Sequence, residues 1–363
     1  MEQLLDILKS IPEYATLLEA LSKNQSAAIT GIGQINRSHL LAGLHKHCSR
    51  PIVAFCQDDM AAKRLQEELK AFLGESAPIL PSRELTLYDS AVVSRAWEQK
   101  RLRQLYDLHS CATKLQIISW DALSQRTVPA ATLQATAFTL EVGKEYELDS
   151  LLQRLTGAGY TRCGMVEGPG QFAVRGGILD LYSPAADRPI RAEFFGDELD
   201  TMGFFNPDTQ RRVENVEKLV VLPVGETQPR LHPEGLEGLC ADISSLIARQ
   251  KRRKSPNTEL IATLEKDLNK YENGLNNPAS DRYMALIYPE FATAMDYIPE
   301  DAILVLCDQN NLHRRARTRT EEMGMQLDSL LQGVYRSYKQ RCNSSPFFFA
   351  CNRLCSNSHT ARK

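Results

Sequence analysis

The feature that most limits what this chain can fold into is a change of hydrophobic grammar near Ala137. Upstream, helical stretches alternate with short apolar runs. Helical spacing joins Leu4, Leu5 and Leu8 to Tyr14, Leu17, Leu18 and Leu21. Ala27 to Thr30 reads as a strand, and the turn Gly31-Ile32-Gly33 leads into another helix. Pro51 to Cys56 and Leu115 to Ser119 read as buried strands. Between them lie a helix carrying Met60, Ala61, Leu65, Leu69 and Phe72 and a second from Ala96 to Leu108. Strands alternating with helices imply a parallel sheet with helices packed on it. Downstream to about Pro223 the helices nearly vanish, apart from Leu148 to Thr156. Short alternating runs replace them at Gln171 to Arg175, Gly177 to Tyr182, Ile190 to Phe195, Leu199 to Phe205 and Val216 to Leu222. Turn chemistry such as Gly168-Pro169-Gly170 and Asn206-Pro207-Asp208 separates them, as in a small antiparallel β domain.

From about Thr227 the pattern is helical again. Ser255-Pro256 marks a helix start, and Leu260, Leu264, Leu268, Tyr271 and Leu275 form one apolar stripe. A last buried strand runs from Ala302 to Cys307 and ends at Asp308. These shifts divide the chain into 1–135 (α/β, first part), 136–226 (β domain), 227–334 (helical and α/β, second part) and a tail, 335–363. The tail is basic, Ser/Asn-rich and aperiodic, and reads as disordered or non-native. A length of 363 residues is too great for one ordinary core. With 43 basic and 45 acidic residues the net charge is -2, which argues against a dedicated nucleic-acid coat. No run approaches the ~18 apolar residues of a membrane span, and the start lacks the form of a signal peptide. The nine cysteines include no CxxC pair and read as reduced thiols of a cytoplasmic protein. Cys342, Cys351 and Cys355 with His359 match no zinc spacing, so no metal is expected. Cys56 and Cys307, in apolar strands, read as inert core thiols.

The strand, turn and helix around Gly31 stand where a nucleotide-binding protein places its phosphate loop. That chemistry needs G-x-x-x-x-G-K-[ST]: glycines so that backbone N–H groups wrap phosphate, Lys for charge, Ser or Thr for magnesium. On Gly31-Ile32-Gly33-Gln34-Ile35-Asn36-Arg37-Ser38 the first glycine and the serine fit. Asn36 replaces the second glycine and Arg37 the lysine, and a planar guanidinium is a poor substitute for a compact ammonium. A working site also needs a strand ending in Asp-Glu. Here the strand ends in Asp308-Gln309, an amide at the water-handling position. The two defects together describe an NTPase sheet that has lost its chemistry.

Period-two phase assigns faces in the β domain. Ile190, Ala192 and Phe194 share the core side, with Phe172 and Val174 on the preceding run and Leu179 and Leu181 between. The outer side displays Arg175, Arg191 and Phe195; arginine beside an unburied aromatic is the composition of an interaction hot spot, the alternative being that Phe195 packs under a neighbouring loop and the arginines are ordinary surface charges.

The run VEGPGQFAVRGGILDLYSPAADRPIRAEFFGDELDTMGFFNPDTQRRVENVEKLVVLP carries two specific blocks, R-G-x-[IL]-[LI]-D-[LI] and R-x-E-x-[FW]-[GD]-[DE]-E-[LIV]-[DE]. It resembles the module shared by the excision-repair protein UvrB and the transcription-repair coupling factors (the Mfd family), and the resemblance extends over roughly Met1 to Leu330. UvrB has an intact phosphate loop and a Tyr-rich hairpin that clamps damaged DNA. Pro81 to Trp97 is too short for that hairpin and holds one tyrosine, Tyr88. With Asn36, Arg37 and Gln309, this places the resemblance with the N-terminal, UvrB-like region of the coupling factors.

The fold this implies is α/β: a degenerate P-loop NTPase-like parallel sheet with helices, plus a small antiparallel β domain like the second domain of UvrB. The function it implies is recruitment of UvrA to lesions where RNA polymerase has stalled. The family's UvrA contacts map onto Arg175, Arg191 and Phe195. Gly31, Gly33, Asn36, Arg37, Ser38, Asp308 and Gln309 would form a degenerate nucleotide site. The region would be no enzyme and need no cofactor, since ATP serves a motor elsewhere in the family protein. RNA polymerase and DNA would be bound by other domains, and no membrane is expected as partner. The alternative is a UvrB-like protein that binds ATP and damaged DNA. The basic runs Arg249 to Lys254 and Arg314 to Arg319 read as solvated faces, or as charges serving an interface inside the family protein.

Overall fold

The computed structural model describes residues 2–83, 95–254, 256–275, 277 and 279–331. Tyr88 and most of the short segment after Pro81 lie outside the described residues. So do Ser255 and the tail with Cys342, Cys351, Cys355 and His359. Along the chain, α1 (Glu2–Asp6), α2 (Pro12–Ser22), α3 (Gln34–His47), β1 (Ile52–Cys56), α4 (Asp59–Leu73) and β2 (Ile79–Leu80) come first. Next are α5 (Arg95–His109), β3 (Leu115–Ser119), α6 (Trp120–Leu123), α7 (Ala130–Thr136), β4 (Phe138–Glu141) and α8 (Leu148–Gly157). The strand-rich stretch holds β5 (Thr161–Arg162), β6 (Gln171–Arg175), β7 (Ile178–Leu181), β8 (Ile190–Phe195), β9 (Glu198–Phe205), β10 (Arg212–Asn215) and β11 (Lys218–Val221). After it come α9 (Gly235–Lys251), α10 (Thr258–Glu272), α11 (Met284–Ile287), β12 (Ile303–Leu306) and α12 (Gln309–Leu331).

The elements form two compact units. The first comprises the chain up to Arg83, Asp107–Arg126 and the part from Thr293 onward. Its sheet has the order β12-β1-β3-β2, parallel throughout, with Ile52 registered between Ile303 and Leu115. Every residue of β1 and β3 is buried, as expected for central strands covered on both faces. The helices supply the cover. On α4, Ala62, Leu65 and Leu69 recur at helical spacing and join Ala54 and Ile117 in one core with Leu41 of α3. The Asp58 side chain caps α4 by accepting from the Ala61 N–H, and Gly74 at φ 80° ends it.

Two expectations fail in this unit. No strand forms at Ala27–Thr30, which is extended and exposed. Two of its four side chains are methyl groups, too little apolar surface to hold a strand in a sheet. The strand β12 is also not a buried one. It stands at the sheet's edge, with Leu304 38% exposed.

The second unit, Glu84–Tyr106 with Thr127–Ala292, holds a six-stranded sheet ordered β10-β9-β8-β7-β6-β5. Its pairs are antiparallel except β5 with β6. A separate antiparallel pair joins β4 to β11. Leu151 and Leu155 of α8 close over one face of the large sheet, packing with Phe172, Leu179, Leu181, Ile190 and Ala192. Arg101 of α5 and Glu226 are both wholly buried, 2.8 Å apart, and the Thr127 hydroxyl donates to Glu226 at 2.9 Å. Helix α10 starts two residues after Pro256 because Asn257 caps it, accepting from the Leu260 N–H. Its buried stripe is Ile261, Leu264 and Tyr271, while Leu275 lies beyond the helix end, 59% exposed. Between them Asp267 is buried, accepting from Tyr283 Oη at 2.9 Å and pairing with Arg282 at 3.3 Å and Lys270 at 3.5 Å. Among the described residues no helix is long and apolar enough to cross a membrane.

Candidate functional site

Strand pairing puts Arg175, Arg191 and Phe195 on one face of the six-stranded sheet. Arg175 registers with Ile178, and Ile178 with Glu193, which shares the parity of Arg191 and Phe195 on β8. The face is not bare. Phe205 of β9 and Ala173 of β6 form a small second core there with Val166, edged by Cys163 and Tyr182. Alternation alone reads Ala173 and Phe205 as polar-side positions, so nothing in the sequence announced this cluster.

Arg191 is braced on that cluster. It registers directly with Asp180, donating from Nε to Oδ1 at 2.7 Å and from Nη2 to Oδ2 at 2.8 Å. Nη2 also donates to Gln210 Oε1 at 2.9 Å, and the guanidinium lies 4.7 Å from the Phe205 ring centroid. The Asp180 hydrogen bonds hold the guanidinium above its usual range. The expectation of an outward-displayed arginine is therefore modified: only its edge meets solvent. The sequence signal for this was Asp180 in the R-G block, one strand away and in phase.

Phe195 has the opposite character. It is 84% exposed, at the end of β8 beside the two-residue hairpin turn Gly196-Asp197. Gly196 at φ 64° takes the left-handed conformation such turns require. Ile178, 38% exposed, lies on the same face, a residue the sequence reading did not single out. Arg175 is exposed, with Nη2 donating to the Gly164 carbonyl at 2.7 Å. Glu193 registers with Thr201, whose hydroxyl accepts from Arg212 at 3.2 Å. An exposed aromatic, a second apolar side chain and arginines over a rigid sheet can take a protein surface with complementary acidic groups.

The degenerate nucleotide residues lie in the first unit. Gly31 is at φ 77° and Gly33 is the N-terminal flank of α3, on whose opening turns Asn36, Arg37 and Ser38 fall. Arg37 and Asp308 line a cavity of about 300 Å³ with Gln34, Asp58, Arg64 and Glu68. Gly31, Gly33, Asn36 and Gln309 do not line it. Asp308 caps α12, accepting from the Asn311 N–H at 3.0 Å. Glu68, unremarked in the sequence, accepts hydrogen bonds from the Ser38 hydroxyl and, at 2.8 Å, from Gln34 Nε2. Ser38 thus donates its proton to a carboxylate whose negative charge opposes phosphate at the start of α3. Among the described residues no group of three His, Cys, Asp or Glu side chains is placed to hold a metal.

Residues 138–226, which include this face, match the family model for the UvrB interaction domain. Curated relatives that the chain matches include transcription-repair-coupling factors. It is 24% identical to that of Bacillus subtilis over 92% of this chain and 28% of the relative. It is 30% identical to that of Myxococcus xanthus over 85% and 26%, and 32% identical to that of Escherichia coli over 52% and 16%. The chain spans about a quarter of the length of the first two. The resemblance to the UvrB-like region of the coupling factors, drawn from the two arginine-containing blocks, is borne out.

Proposed function

We propose that this chain serves transcription-coupled excision repair as a docking module, capturing UvrA on the Arg175–Arg191–Phe195 face and carrying out no catalysis itself. RNA polymerase and DNA are left to other parts of the family protein. The observation that carries this reading is Phe195, a large aromatic held 84% exposed by a defined hairpin within the matched domain. An aromatic so placed forfeits about 1.5–3 kcal/mol of burial, which a partner's pocket recovers. Arg175 stands exposed on the same face and favours an acidic partner surface, while the charge of Arg191 is largely met by Asp180. The Glu68 carboxylate on Ser38 supports the non-catalytic half of the reading.

Titration calorimetry of the chain against UvrA tests it. Phe195→Ala is expected to weaken binding by about 1–3 kcal/mol without loss of fold. Wild-type affinity in that variant removes the face from the interface. Steady-state ATP turnover, with and without damaged duplex, tests the other half: turnover abolished by Arg37→Ala would overturn the non-catalytic reading.

A further inference from the structure

The parallel register of β1 with β12 runs Ile52↔Ile303 to Phe55↔Leu306, and the next pair in sequence is Cys56 and Cys307. The sheet bonding continues to that point, with the Cys307 N–H donating to the Phe55 carbonyl at 3.1 Å. Residues opposed in a parallel pair point to the same face, so both thiols emerge on one side. Strand spacing of about 4.8 Å falls inside the window of roughly 4.4–6.8 Å between α-carbons that a disulfide spans. Cys307 is the first residue past β12, and β12 is the edge strand, so its backbone can adjust without breaking an outer strand pairing. Both cysteines also line the 300 Å³ cavity, which opens a route for a small reagent. In the sequence both read as inert core thiols, and Cys56 does lie in the core of this unit with Cys307 packed against it.

We propose that Cys56 and Cys307 are a reversible redox pair, closing a disulfide across the floor of the degenerate nucleotide cavity by exchange with a low-molecular-weight disulfide such as oxidised glutathione. Cys307, the less buried of the two, attacks first as its thiolate. One glutathione leaves as thiolate and a mixed disulfide forms on Cys307. Cys56 then loses its proton and attacks the Cys307 sulfur, forming the Cys56–Cys307 bond and releasing the second glutathione. Two protein thiols lose two electrons, and one glutathione disulfide gains them together with the two protons. Arg37 and Arg64 line the same cavity and favour both the thiolate and an anionic reagent, against Asp58, Glu68 and Asp308, which oppose them. The adjoining Cys307 thiol and burial push the Cys56 thiol up, in keeping with Cys56 as the second sulfur to react.

The full chain is incubated with oxidised glutathione, the free thiols are alkylated, and the unreduced peptides are mapped by mass spectrometry. Mapping separates this pair from the other seven cysteines. The expected product is a cross-linked pair of peptides containing Cys56 and Cys307, two hydrogens lighter than their sum and reopened by dithiothreitol. Alkylation of both is expected to slow at least tenfold. Cys56→Ser should trap the mixed disulfide on Cys307, and Cys307→Ser should leave Cys56 reduced. Circular dichroism of each variant separates misfolding from loss of chemistry. Glutathione retained on Cys307 of the wild-type chain, or both thiols still fully alkylated once Cys111, an exposed free cysteine that serves as the internal control, is oxidised, overturns the proposal.

Discussion

Replacing Arg191 with alanine separates the two roles an interface arginine can have. The change removes both bonds to Asp180, both bonds to Gln210 and the cation over Phe205. The Asp180 side chain is 6% exposed, so its carboxylate has little water to turn to. Breaking a fully buried pair costs about 3–5 kcal/mol. The Arg191 side chain is 21% exposed, so water enters the vacated place and lowers the penalty to about 2–3 kcal/mol. The lost cation–π contact adds about 0.5–1 kcal/mol. A total of about 2.5–4 kcal/mol is expected against the second unit. With two compact units a single unfolding transition is not assured, so the assay is local. Native-state hydrogen exchange of β7 and β8 amides should accelerate by roughly 60- to 700-fold, at about 1.4 kcal/mol per factor of ten. The double variant Asp180→Leu, Arg191→Met, which removes both charges, should recover most of the loss. Acceleration under about threefold in the single variant would show that Asp180 is satisfied without Arg191, and the brace described above would be wrong. Weaker UvrA binding by Arg191→Ala is therefore interpretable only after this measurement.

Phe195→Ala supplies the contrast: with its ring 84% exposed, stability should change by less than about 0.5 kcal/mol in the same exchange assay. Glu226→Ala removes the carboxylate facing the wholly buried Arg101 and should cost about 3–5 kcal/mol, read as faster exchange in α5. Glu68→Gln removes the charge that accepts from Ser38 and Gln34, so equilibrium dialysis should show tighter inorganic phosphate binding than in the wild-type chain. Burial pushes the Tyr271 phenol up to about 12, above its ordinary value of 10.0. The folded state therefore holds the proton more tightly than the unfolded one. Its contribution is fully present below pH 10 and is lost as pH rises through about 12. An alkaline titration followed by tyrosinate absorbance should show Tyr271→Phe lacking this step.

What was legible in the sequence was whatever depends on local periodicity. β1 and β3 are continuous apolar runs because a central parallel strand is buried on both faces, and β8 alternates because only one of its faces meets the main core. Those patterns located the strands and put Arg175, Arg191 and Phe195 in phase. Boundaries followed capping chemistry less well: Asn257, not Pro256, begins α10, and the buried stripe moves with it from Leu260 to Ile261. Ala27–Thr30 failed because apolarity over four residues, two of them alanines, does not suffice to hold a strand.

By itself the sequence determined the alternation of strands and helices, the phase of each strand, and the substitutions in the phosphate loop, all of which rest on residues close along the chain. Only the tertiary structure decided which charges meet across strands. Arg191 and Asp180 are eleven residues apart, and Ser38 and Glu68 thirty, and register and helix packing set their contacts. Cys56 and Cys307 stand 251 positions apart in sequence, yet become neighbours because β12 pairs in parallel with β1. Hydrophobic period fixes which way a side chain faces; it carries no information about which strand lies beside it.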